Sequence, residues 1–206
     1  MSVVQVHSPP FLFSSMQKYK KTLFFITLFI CGCAYISYVK DPFVDIPNFH
    51  KVNDSLYRGG QPTKKGLKKL NSLGIKTVVS LKGRNKATQE EQKTLLAMGM
   101  QYYNIPLSVY AQPDDKDVIQ FLEIVLKKSN QPVFVHCESG RDRTGAMIAL
   151  YRVVVEGYSI KEAYKEAKRL GFWPYRGKAE LKKFIHQIKD KKIYFEKAKE
   201  IIDGQK

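Results

Sequence analysis

The chain reads as an α/β domain, a three-layer sandwich with a central, largely parallel sheet flanked by helices, preceded by one N-terminal transmembrane helix. Three observations lead there. A long uncharged apolar run lies near the start, strand and helix patterns alternate from about Phe49 onward, and turn or cap residues stand at most boundaries. The 206 residues allow one domain plus an appendage. With 44% hydrophobic and 12% aromatic content there is material for one buried core, which excludes disorder along the whole chain. Cysteines occur only at 31, 33 and 137, so neither a disulfide-stapled fold nor a four-thiolate zinc site fits.

The elements follow in order. Residues 1–21 form a short basic tail, with Met16 as an alternative start. Residues 22–39, Thr22 to Val39, are uncharged for roughly 18 residues, about the minimum that spans a bilayer. Lys18, Lys20 and Lys21 precede this run, whereas Lys40 and Asp41 nearly cancel after it, so the positive-inside rule sends the rest across the membrane. The expected location is single-pass, with the domain on the extracytoplasmic (periplasmic or lumenal) side. The alternatives are a cleaved signal peptide giving a secreted protein, or lipidation at Cys33.

A linker at 40–48 leads to the domain at 49–206. Lys51-Val52 and Leu56-Tyr57 flank Asn53-Asp54-Ser55 as a hairpin. Leu67, Leu70 and Leu73 mark one face of a helix ended by Gly74, and Ile75 to Leu81 is a strand. Thr88 with Glu91 reads as a capping box for a helix reaching Met98, closed by Gly99. Met100 to Ile105 follows as a strand, Asp115 to Lys128 as an amphipathic helix, and Val133 to Val135 as a short buried strand. The helix Thr144 to Glu156 stops at Gly157, Ser159 and Glu162 box the next, and Lys178 to Ile202 reads as one long basic helix.

The segment from Val133 to Gly145 carries the chemistry. A cysteine ends an apolar strand, and an arginine stands six positions later at a helix start. Successive backbone N–H groups from Glu138, Ser139, Gly140, Arg141, Asp142 and Arg143 can curl into an anion nest, to which the helix N-terminus adds its dipole. Arg143 offers a bidentate fork to phosphate oxygens, and the positive field favours the thiolate of Cys137, its nucleophilic form.

His136-Cys137-x5-Arg143-Thr144-Gly145 resembles the signature of the cysteine-based protein tyrosine phosphatase superfamily. Leu56-Tyr57-Arg58-Gly59-Gly60-Gln61-Pro62 and Thr77 to Gly83 are similar to segments of its small, atypical dual-specificity branch, and the likeness runs over about residues 50–175. The resemblance implies Cys137 as the nucleophile, Arg143 with the 138–143 amides as the phosphate cradle, and Thr144 as a hydroxyl assisting the thiolate. It implies His136 as an ordering residue and places Arg58 and Lys82 at the substrate rim. It implies no cofactor and no metal.

The general acid that relatives carry before the cysteine has no counterpart in Ile105 to Gln112, which lacks a carboxylate. Asp114 and Asp115 follow at a helix start, where capping is their ordinary role. Asp142 is the other candidate, unless its carboxylate turns outward toward Arg141 or a lysine. Trp173 and Tyr175 read as packing residues.

The leading expectation is a phosphatase for phosphorylated tyrosine or serine/threonine. Phosphoinositide or inositol phosphate hydrolysis is the alternative, and a phosphate-binding pseudophosphatase is a reading of another class. The net charge is +16, of which residues 1–43 hold four lysines and one aspartate, leaving +13 on the domain. That excess suits acidic substrates or a membrane reached through 22–39. No recognition motif supports nucleic acid as a partner. The sequence does not specify oligomeric state.

Overall fold

The computed structural model describes residues 44–173, 175 and 179–205. The apolar run at 22–39 and the tail before it lie outside them. Among the described residues no helix is long and apolar enough to cross a membrane.

Five short strands form the sheet: β1 (His50–Lys51), β2 (Leu56–Gly59), β3 (Thr77–Ser80), β4 (Gln101–Asn104) and β5 (Val133–His136). Their order is β1-β2-β5-β3-β4, with β1 antiparallel to β2 and every other pairing parallel. The central β5 reads Val-Phe-Val-His and is buried on both faces, as a strand covered by helices on both sides must be.

Alternation along the strands divides the core. Val78 and Phe134 join Ile46, Leu67 and Leu70 in a small cluster under α1 (Lys64–Ser72) and α2 (Lys86–Ala97). Val79 and Val135 point the other way, into the larger cluster under α3 (Asp115–Leu126) and α4 (Asp142–Val154). That layer also contains α5 (Ile160–Arg169), α6 (Ala179–Gln187) and α7 (Lys192–Asp203). Fully burying one such aliphatic side chain is worth about 1.5–3 kcal/mol, so the two clusters hold the layers together.

Three local expectations change. The box on α2 is formed by Asn85 with Thr88, whose side chains each accept the other's backbone N–H at 3.0 and 2.9 Å. Glu91 is buried instead, so Thr88 is the box's third helical residue, not its cap. Leu73 caps α1 and is exposed. The long C-terminal helix is broken: α6 ends in a 3-10 turn over Ile188–Asp190, and α7 starts anew. The two parts serve different neighbours. Leu181 and Ile185 bury into the α4 layer, whereas α7 is tied to α3 through Lys191 and Tyr194 on Asp115 and through Lys197 on Glu123. One straight rod does not reach both. Gly74, Gly99 and Gly157 end their helices with positive φ, as expected. Ser159 and Glu162 do form a capping box.

Candidate active site

Cys137 follows β5 directly, at the carboxyl end of the sheet, where parallel α/β sheets place their ligands. Its thiol is free and 2% exposed. The chain then turns through Glu138 to Arg141 and enters α4 at Asp142. Gly140 makes the turn possible with φ +68, a conformation that other residues rarely adopt.

The turn presents donors inward because its carbonyls are captured from outside. The Glu138 carbonyl accepts from the Gln61 N–H at 3.0 Å. The Gly140 carbonyl accepts twice, from Arg58 Nη2 at 2.5 Å and from Asn48 Nδ2 at 2.8 Å. Among the described residues the N–H groups of Glu138, Ser139, Gly140 and Arg141 donate to no protein acceptor. A run of unspent amides ahead of a helix N-terminus is an anion nest.

The segment 45–61 supplies the outer braces, and the fit is tight. A Cβ on Gly140 would lie 2.3 Å from the backbone carbon of Gly59, and one on Gly60 would lie 3.0 Å from the Glu138 carbonyl. Asn48 takes a positive φ of 53 and also donates to the Leu170 carbonyl.

Arg58 is therefore not at the rim. It is 1% exposed, and burial lowers its guanidinium pKa to about 10, with Glu166 and Cys137 opposing that shift. Lys82 is also buried and pairs with Glu138 at 2.6 Å, which places an ammonium under the first residue of the turn. Arg143 extends toward the ends of β3 and β4, donating through Nη1 to the carbonyls of Leu81 at 3.2 Å and Leu107 at 3.5 Å. Thr144 is fully buried, and its hydroxyl has no hydrogen-bond partner among the described residues.

His136 is wholly buried on the α2 side, stacked on Phe134 at 5.6 Å. Its Nδ1 stands 3.1 Å from the Cys137 carbonyl, which only accepts, so that nitrogen carries a proton. Its Nε2 is 3.1 Å from Glu91 Oε1, a close approach without hydrogen-bond alignment. Gln61 donates to the same Glu91 oxygen at 2.8 Å. Asn48 was not singled out by the sequence; Gln61 sat inside a quoted motif and Glu91 was assigned to a capping box, so neither was read as a site residue.

The carboxylates separate clearly. Asp115 accepts from Tyr194 Oη at 2.5 Å and from Lys191 at 2.9 Å, and these partners hold it below the usual carboxylate range. It is a structural tether. Asp114 occupies the N-cap position of α3 without a side-chain cap bond, and lies 3.7 Å from Lys116. Asp142 is buried, not turned out to Arg141, and its Oδ1 accepts the Trp173 N–H at 2.9 Å. Trp173 and Tyr175 are both exposed, their rings 5.0 Å apart, so they are not packing residues.

With this geometry established, the chain compares as follows. The family described as a DSP-PTPase phosphatase fused to NAD+ kinase matches residues 42–187. The dual specificity protein phosphatase TpbA of Pseudomonas aeruginosa is 30% identical over 132 residues, which cover 61% of this chain and 55% of that protein. The inositol diphosphatase SIW14 of Saccharomyces cerevisiae is 28% identical over 130 residues, covering 61% of this chain and 46% of that one. The chain thus spans about half the length of these curated relatives. The crystal structure of the SIW14 core catalytic domain with citrate superposes with a TM-score of 0.65 at 26% identity, over 76% of this chain and 94% of that one. The crystal structure of TpbA gives 0.61 at 23% identity, over 77% and 94%, a likeness of fold.

Proposed function

The chain belongs to the DSP-PTPase phosphatase family matched over residues 42–187, and from that premise we propose that it hydrolyses phosphate monoesters through a phosphocysteine at Cys137. The observation that carries this reading is the set of unspent amides beside Cys137, held open by outward braces on the Glu138 and Gly140 carbonyls.

The Cys137 thiolate attacks phosphorus in line, and the ester oxygen leaves with a proton from an acid. Water then displaces the sulfur and releases inorganic phosphate. The amides from Glu138 onward and the Arg143 guanidinium hold the equatorial oxygens as charge builds on them. The Thr144 hydroxyl, buried without a hydrogen-bond partner among the described residues, is the donor for the departing thiolate. His136, stacked on Phe134 and bonded to the Cys137 carbonyl, orders the turn. A paired Asp142→Asn and Asp114→Asn comparison identifies the acid: its loss slows an alkyl phosphate and spares a good aryl leaving group.

The substrate class of first choice is a phosphorylated protein, in line with TpbA, a named dual specificity protein phosphatase. A second reading, an inositol phosphate, rests on the SIW14 likeness and on the lysine and arginine excess of the domain. Residues 22–39 would hold the domain at a membrane, on its extracytoplasmic face. Protease protection of the full chain in sealed vesicles tests that placement.

The experiment for the activity is hydrolysis by the full chain of an aryl phosphate, a phosphopeptide panel and inositol phosphates, with Cys137→Ser beside it. Turnover should vanish in the variant. Equal rates would overturn the phosphatase reading.

A further inference from the structure

Among the described residues, α1 is the one α-helix without a carboxylate. Over residues 63–76 the chain holds five lysines, at 64, 65, 68, 69 and 76, and no acidic residue. We propose that this face docks on the anionic headgroups of the bilayer that holds residues 22–39. The inference rests on the membrane placement of that run and is separate from the phosphatase reading.

The lysines face outward because the other side of the helix is spent on the core. Gly66, Leu67 and Leu70 are buried, the two leucines in the small cluster with Ile46, Val78 and Phe134. Lys64, Lys65 and Lys68 are exposed and lie within one turn of each other, so their charges form one face. Lys51, Lys82, Lys183, Lys191 and Lys197 each pair with a carboxylate. Among the described residues Lys64, Lys65 and Lys68 make no ion pair. Three carboxylates come near them. Asp45 accepts from Thr63 Oγ1 at 2.6 Å. Glu90 and the buried Glu91 share a groove of about 220 Å³ with Lys64, where Glu91 accepts from Gln61 at 2.8 Å. Neither glutamate is within ion-pair reach of Lys64.

The occupant follows from where the chain comes in. The Asp45 carbonyl accepts the Thr63 N–H at 2.9 Å, and a Cβ on Gly66 would lie 2.2 Å from that carbonyl oxygen. Residue 45 is thus seated on the first turn of α1, as close as a glycine allows. Residues 40–44 alone separate it from Val39, the end of the apolar run. Fully extended, that stretch reaches about 20 Å, so with 22–39 in a bilayer the first turn of α1 stays that near the headgroups. A juxtamembrane basic face is attracted to anionic lipid over about a Debye length, which favours the docked position. Substrate steering fits less well. α1 returns from the carboxyl end of β2 to the amino end of β3, so its lysines run down the flank of the sheet, away from Cys137.

The test places the full chain in nanodiscs of phosphatidylcholine, alone or with about one third phosphatidylglycerol. Labelling of lysine amines by a water-soluble acylating reagent, read by mass spectrometry, reports which face is covered. Lys64, Lys65 and Lys68 should label several-fold more slowly in the anionic discs. Lys161 and Lys165, on α5 in the opposite layer, should label equally in both. Salt at 1 M, where the field reaches only about 3 Å, should abolish the difference. In a Lys65→Gln, Lys68→Gln variant the docked state should weaken about 25-fold, about fivefold per lysine, and Lys64 should then label as in neutral discs. Equal labelling of α1 in the two discs, or slowing of α1 and α5 alike, would overturn the docking and leave 22–39 as an anchor. A chain that the neutral discs fail to retain removes the anchor, and the docking with it.

Discussion

Arg58 and Arg143 both serve the turn after Cys137, and they do so in opposite ways. Arg143 stands in the first turn of α4 and spends only Nη1, on two strand-end carbonyls. Arg58 is sealed behind the turn and spends Nη2 on the Gly140 carbonyl, with Nε and Nη1 left without hydrogen-bond partners among the described residues. On the phosphatase reading, one cation is placed for the ligand and the other for the backbone that would receive it. The difference shows that charge near a phosphate site is not one property. A buried charge shapes the cradle at a cost to the fold, and a reachable one fills it.

The largest effect should break the comparison at its ligand side. Arg143→Ala should lower kcat/KM on an aryl phosphate by about 10³-fold, and Arg143→Lys should recover little, since an ammonium lacks the fork. A milder loss would mean the amides alone suffice. Gly140→Ala comes next. Its Cβ collides with Gly59 and its φ is unfavourable, so activity should fall by about 10²-fold with a lower Tm.

Arg58→Met sharpens the contrast most directly. The folded-state pKa of about 10 lies below the ordinary guanidinium value, so folding disfavours this charge at every pH below about 10. The penalty fades only as pH rises from there toward the ordinary guanidinium value. It is worth about 3 kcal/mol by the pKa difference. A methionine removes it while giving up the Gly140 bond, and Asn48 still holds that carbonyl. Turnover should therefore drop about 10–100-fold through misplacement of the turn, with a Tm equal to or above wild type. A clear loss of stability would mean the arginine is a net stabiliser of the fold.

The smallest effect lies away from both arginines. Asp115→Asn should leave turnover unchanged and cost about 1 kcal/mol, because Lys191 and the Asp115 side chain are about half exposed, while the hydroxyl of the buried Tyr194 keeps the amide oxygen as an acceptor. Its carboxyl is depressed in the folded state, so the contribution is present above the ordinary carboxylate pKa. It is lost as pH falls through the folded value. Acid denaturation profiles of the two proteins should differ only at that end.

How much of this was legible depended on where the partners lie in the chain. The Cys137 turn is contiguous, so its residue types and spacing carried it, and the alternation of strands and helices carried the sheet. Arg58, Asn48 and Gln61 act on carbonyls of Glu138 and Gly140, roughly 80 to 90 residues further on. A backbone carbonyl has no residue type, and such a contact leaves no pattern to read. Glu91 was read as a helix-capping residue because Thr88-x-x-Glu91 fits a capping box as well as Asn85-x-x-Thr88 does. Only the burial of His136 beside it decides between them. The break after α6 was hidden for a similar reason: the apolar period on either side is regular, and what differs is the neighbour each half meets.

Asn48 donates to the Gly140 carbonyl and to the Leu170 carbonyl, and just beside it the Pro47 carbonyl accepts from Gly60 and the Asp45 carbonyl from Thr63. The chain thus enters the domain through a short ladder of bonds whose far ends include the phosphate turn itself. Mechanically, this is a load path. A displacement of the backbone at 45–48 would therefore be felt at the start of α1 through Thr63 and at the phosphate turn through Gly60 and Gly140.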